Sequence, residues 1–258
     1  MFRLGNAHGR YVLGLLCLIL AISAIAIPSI SSKVDDWKVL DLGVFRISIP
    51  KDWKYKKVEG EDSFIGYILG PGVDFSFDYS DHGYANSLIQ TEAEYLKNEE
   101  WLRGCPLYKP GIIYTANFNV ANEKARQMKE KGITDSSLVK VEGDPCFNAK
   151  KQINKPTPTQ SIKYPTADYI GVLIYKGDTT NVPVVIPLKI KKHNFKIDTT
   201  EKYIVKTIWP KKASDGLTGI FVRSRKSSFN FKMSAYNLSA KDQELALKSF
   251  KTIVFTDK

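Results

Sequence analysis

Between Asp74 and His82 the chain reads DFSFDYSDH, which sets three carboxylates, one imidazole and the hydroxyls of Ser76 and Ser80 within nine residues. Such groups bind hard cations or exchange protons in general acid–base catalysis. Spacing sorts them. Asp74 and Asp78 lie four residues apart on an alternating run, about 13 Å along a strand, and cannot share one ion. Asp78, Asp81 and His82 converge if the chain turns at Ser80, so these three form a candidate polar site that would serve a periplasmic hydrolase. The plainer reading is a polar strand face that runs into a loop.

A second cluster is basic. Lys189, Lys191, Lys192, His193 and Lys196 surround Phe195, and Lys206, Lys211, Lys212, Arg223, Arg225 and Lys226 follow. Interleaved cations and aromatics suit phosphate or polyanion contact, which makes Lys189, Lys191, Lys192 and Lys196 a candidate anion patch. The competing reading is a set of solubilising lysines that deter pairing at strand edges. Neither cluster extends into a known catalytic motif: G-x-S-x-G, H-E-x-x-H, Walker A and G-x-G-x-x-G are all absent. No cofactor is therefore expected. Trp37, Trp53, Trp101 and Trp209 read as core or rim packing. The triplet Asn237-Leu238-Ser239 is better explained by Ser239 capping a helix than by glycosylation.

Compartment decides what these groups meet. Residues 1–10 carry Arg3 and Arg10 and no acid, and residues 11–27 (YVLGLLCLILAISAIAI) hold no charge. This run is longer than an ordinary signal-peptide core and shorter than a full membrane span. Residues 1–32 are accordingly expected to be a cleaved signal peptide or a retained membrane anchor, with the rest exported. The formal net charge is +11; without Arg3 and Arg10 the balance is 36 basic against 27 acidic residues, or +9. That excess attracts anionic glycans or lipid headgroups, while export makes nucleic acid a poor target. In an oxidising compartment, Cys105 and Cys146 form a candidate disulfide; two free thiols or a metal pair are the alternatives, and without C-x-x-C spacing zinc is poorly supported.

The elements that must position these residues are mostly strands. Residues 44–49 (VFRISI) alternate and stop at Pro50, and residues 51–60 read as a charged turn region with Trp53 and Tyr55 capping the core. Residues 62–79 (DSFIGYILGPGVDFSFDY) form a central hairpin, with Val73, Phe75, Phe77 and Tyr79 on its apolar face. A helix is expected over 86–104, with Thr91 and Glu94 as a capping box. Further on, the patterns predict a strand near 111–115, a solvated helix over 122–131, a short strand over 137–141 and a linker-like KPTPT at 155–159. A hairpin over 168–190 has an edge strand marked by Pro183 and Pro187. The last third reads as a strand over 201–209, a hairpin over 217–235, a helix over 240–250 capped by Ser239, and a closing strand over 252–255. The order implies an α+β fold with a mainly antiparallel sheet, in one domain over 33–258 with an insertion over 106–196. Residues 62–80 and 215–234 echo one another, as a duplicated unit or as two similar hairpins in one sheet.

The pieces IPKDWKY (49–55), GEDSFIGYI (60–68), FSFDYS (75–80), GLTGIF (216–221) and NLSAKDQELALKSFKTIVF (237–255) together resemble small exported or lipid-anchored bacterial proteins of uncharacterised function. The opening strand and closing helix are more distantly similar to the PsbP-type α/β/α sandwich. The resemblance covers the two ends of the chain, leaves 106–196 uncovered and implies no activity. The resemblance implies a place in the cell envelope. A non-enzymatic binding or assembly role is expected, with an envelope protein, glycan or lipid surface as partner, and with membrane contact through 11–27 if the leader stays.

Overall fold

The alternation that opens the chain's chemistry also builds its main sheet. In the computed structural model, which describes residues 36–256, Phe64–Gly70 (β4) and Val73–Ser80 (β5) pair as a hairpin, with Phe75, Phe77 and Tyr79 buried on one face. The signal-peptide or anchor reading of 1–32 lies outside the described residues; among those described, no helix is long and apolar enough to cross a membrane.

Earlier strands are Trp37–Asp41 (β1), Phe45–Pro50 (β2) and Lys54–Lys57 (β3); the last was expected as a turn region. Trp53 and Tyr55 still close the core edge, the first 2% exposed. Helix Glu92–Lys97 (α1) follows β5, then Ile113–Thr115 (β6), Val120–Lys131 (α2), Val141–Gly143 (β7), Pro145–Asn148 (α3), Lys150–Asn154 (β8), Pro158–Lys163 (α4), Tyr169–Tyr175 (β9), Asp178–Val184 (β10) and Leu188–Lys191 (α5). The chain closes through His193–Thr199 (β11), Tyr203–Pro210 (β12), Leu217–Ser224 (β13), Asn230–Tyr236 (β14), Ala240–Phe250 (α6) and Val254–Phe255 (β15).

Seven strands form one antiparallel sheet in the order β11-β12-β13-β14-β5-β4-β3. Its two hairpins, β4–β5 and β13–β14, meet where Phe231 lies opposite Tyr79 and Ser234 opposite Ser76. The face carrying Phe75, Phe77, Phe231 and Met233 is covered by α6 and by a small sheet in the order β1-β2-β15. Phe45 of β2 packs at 5.3 Å from Phe77 and 5.0 Å from Phe231, and Phe75 meets Phe250 of α6 edge-on at 5.6 Å. Aromatic pairs in this geometry add to the stabilisation already supplied by burial. The fold is thus mixed α+β with mainly antiparallel sheets.

The other face is covered only in part. A second core, of Tyr95, Trp101, Cys146, Leu173, Val184, Ile186 and Ile190, lies within residues 95–190 and includes the antiparallel sheet β10-β9-β8. Trp101 lies over β9 at Gly171, where an added Cβ would sit 2.3 Å from the indole, so only glycine fits there. Lys206 of the main sheet, 3% exposed, reaches Glu94 of α1 at 3.0 Å.

Several sequence expectations are corrected here. The helix expected over 86–104 shrinks to α1 plus a 3-10 turn at Glu100–Leu102, because Leu88 and Glu99 adopt left-handed backbone angles that no α-helix admits. The capping box itself forms: Thr91 and Glu94 exchange bonds at 2.7 and 3.1 Å. The strand over 137–141 becomes a 3-10 turn followed by β7, and KPTPT enters a capped helix at Thr157. The hairpin expected over 168–190 ends at Val184, with β10 at the sheet edge as Pro183 requires, and Pro187 instead caps Leu188–Lys191, which turns helical.

Candidate functional site

Strand β5 separates the three residues of the polar candidate. Asp78 shares the incompletely covered face with Ser76 and lies opposite Lys232, whose Nζ is 3.6 Å away; its Oδ1 is buried without a hydrogen-bond partner. Tyr79 points into the core, and the chain turns after Ser80, whose hydroxyl accepts the backbone N–H groups of His82 and Tyr84 at 3.2 and 3.1 Å. Asp81 follows Tyr79 to that side. Burial first, and then the adjoining Asp81 carboxylate that accepts the phenol hydrogen, push the Tyr79 hydroxyl up to about 12. His82 is exposed, its ring 5.7 Å from Tyr84. Asp81 and His82 therefore share a 580 Å³ cleft with Glu59, Glu61 and Asp62, and Asp78 does not line it.

Among the described residues, the one cluster with three ligand atoms within 4.8 Å is Cys105, Asp144 and Cys146. The two sulfurs are bonded to each other, so that cluster is not a metal site. Asp144 works as a cap instead. Burial raises its carboxyl, but the Tyr108 hydroxyl at 2.8 Å and the N–H groups of Phe147 and Cys146 outweigh that and hold it below its ordinary value.

The basic stretch is largely neutralised within the chain. Lys191 pairs with Asp168 at 2.6 Å, Lys192 with Asp215 at 2.7 Å and Lys196 with Asp198 at 2.8 Å. Lys192 holds Asp215 below the ordinary carboxylate value through its hydrogen bond. Lys189 has no acidic partner among the described residues. His193, 5% exposed, is a structural tie: its Nε2 accepts the Leu217 N–H at 3.0 Å, which leaves Nδ1–H to donate to the Lys189 carbonyl.

A larger site emerges where the two cores adjoin. A cleft of about 720 Å³ has β13, β14 and β5 as its floor, through Leu217, Ser234 and Ser76. Residues 86–89 form one wall, and α5 with His193 the other. Leu88 shapes the first wall. Its backbone is left-handed, a costly state for leucine, and its side chain descends onto Gly219, where an added Cβ would stand 2.9 Å from both Leu88 Cδ1 and the Met233 carbonyl. Sequence reading singled out Lys189, Lys192 and His193 but not Lys232, Asn86 or Tyr236, and met Asn237 only in a glycosylation triplet. The available signal was a lysine and a serine on the polar side of β14, facing Ser76 and Asp78 of β5. No protein-family model matches the chain, and no curated protein matches it either.

Proposed function

We propose that this chain is an exported cell-envelope protein that binds or assembles rather than catalyses. The observation that carries this reading is the 720 Å³ cleft, which is lined by lysines, carboxamides and hydroxyls and whose single histidine is committed to backbone bonds on both nitrogens. A cleft of that size falls in the range of about 300–1,000 Å³ typical of small-ligand sites. The Cys105–Cys146 bond supports export, because such bonds persist in oxidising compartments. Residues 1–32 act as the leader, cleaved or kept as an anchor. The PsbP-type layered sandwich is the finer fold we assign, supported by α6 on one side of the main sheet and by α1 reaching Lys206 from the other. Alkaline phosphatase fused after Lys258 is expected to be active in a bacterial host; a stable but inactive fusion rejects export.

A hydrolase remains the second reading because Asp81 and His82 share one cleft with three further carboxylates. It requires that turnover of an ester, glycoside or peptide substrate vanish in His82→Ala. The binding reading expects no turnover in either protein.

A further inference from the structure

The groups that line the large cleft donate hydrogen bonds far more than they accept them. Lys189 has no acidic partner among the described residues, and Lys232 forms only a long ion pair with Asp78, at 3.6 Å and beyond hydrogen-bond reach, so its N–H donors stay open. One carboxylate lines the cleft, Asp215, and Lys192 already engages it at 2.7 Å. Both carboxamides are turned the same way. The Asn86 Oδ1 accepts the Leu88 N–H at 3.3 Å and the Asn237 Oδ1 accepts the Gly216 N–H at 3.2 Å, which leaves two NH2 groups as donors. His193 offers no acceptor, since its Nε2 is taken by Leu217. Two ammonium groups with open donors, Lys189 and Lys232, and two amide donors, with the one lining carboxylate held by Lys192, call for an acceptor-rich anion.

The rest of the lining narrows the class. Tyr236 is 68% exposed and presents an aromatic ring with a hydroxyl, a surface that packs against a polar ligand's C–H face while staying wet. Ser76 and Ser234, directly opposite one another on the floor, add hydroxyls that both donate and accept. Flat aromatic surface, hydroxyls and cations together match a sugar ring that carries a carboxylate or phosphate. Lys189 lies outside the paired lysines of the basic stretch, and Lys232 comes 43 positions later in the chain; the fold brings both to one cleft.

We infer that this cleft binds an acidic saccharide, with Lys189 and Lys232 taking its anionic group and Tyr236 its ring face. The inference rests on the binding reading above and specifies its ligand. Isothermal titration of the detergent-solubilised full chain tests it with four probes: trigalacturonic acid, trehalose 6-phosphate, neutral maltotriose and inorganic phosphate. One of the two acidic sugars is expected to bind at least about tenfold more tightly than both maltotriose and phosphate, and which one it is distinguishes carboxylate from phosphate. Lys189→Ala with Lys232→Ala should then weaken it by at least about tenfold, whereas the two arginine substitutions retain it. Tyr236→Ala, at the exposed end of β14, should weaken it by about threefold or more. Equal affinity for maltotriose, equal affinity for phosphate, no binding of either acidic sugar, or binding indifferent to all these variants overturns the inference. An active phosphatase fusion and absent turnover would leave the export and binding reading standing even then, so the two fail separately.

Discussion

The ammonium group of Lys206 is the most deeply buried charge on the main sheet, with 3% of its side chain exposed, and it depends on Glu94. That carboxylate does two jobs: it accepts the Thr91 N–H at 2.7 Å to cap α1, and it holds Lys206 at 3.0 and 3.2 Å. Burial raises the Glu94 carboxyl, but the Thr91 bonds and Lys206 outweigh it and the net shift is downward. Glu94→Gln preserves the cap and removes the charge, so its effect isolates the ion pair. It should destabilise the protein by about 2 kcal/mol, below the 3–5 kcal/mol of a fully buried pair because Glu94 is 40% exposed. Chemical denaturation at neutral pH measures this. Because the folded value is lowered, the contribution is present above the ordinary carboxyl value of 4.5 and is lost as pH falls through the lowered one. Wild type and Glu94→Gln should therefore converge in stability on acidification; a constant gap down to strong acid rejects the pairing.

Among the elements, the disulfide ties the loop that follows α1 to α3 across 41 residues and belongs to the second core. In the chain-entropy account, closing a loop of that length is worth about 4 kcal/mol. Replacing both cysteines by serine should lower the melting temperature and speed amide exchange in β8, β9 and β10 more than in β5 and β14; uniform acceleration across both sheets would reject a local role. The elements were legible in the sequence wherever periodicity was strong. Alternation from Val73 to Tyr79 and from Phe229 to Ala235, and the Ser239 cap of α6, produced strands and a helix close to their observed bounds. The stretch at 86–104 was not legible, because Leu88 and Glu99 take left-handed angles that nothing in their side-chain types announces. Only packing explains Leu88: it needs the space that Gly219 leaves on a strand 131 positions later in the chain. The candidate residues met the same limit. Asp78 and Asp81 are three apart, yet Asp81 bends back to Tyr79 on the core side, and Lys232 entered the cleft only through the pairing of β14 with β5.

At the scale of the whole molecule, both ends of the described chain meet over the aromatic core. The ring of Phe255 lies between 5.0 and 5.5 Å from those of Phe229, Phe231 and Tyr203, and β15 pairs with β2 through Phe255 and Phe45. Phe255→Ala removes this cover and should cost about 3 kcal/mol, the lower end for a phenylalanine because the ring is half-buried. Equilibrium unfolding in urea measures it, and a loss below about 0.5 kcal/mol, the range of ordinary surface changes, would show that β15 is dispensable. The same pairings set an order of events. Strand β5 finds its partner β14 some 150 positions later, and β2 waits for β15 more than 200 positions on. A chain made from its N-terminus thus carries Phe45, Phe75 and Phe77 without the cover of Phe231, Phe250 and Phe255 until those residues have been made. Contacts so distant close slowly. The main sheet therefore closes only after the second core of residues 95–190 has already been made.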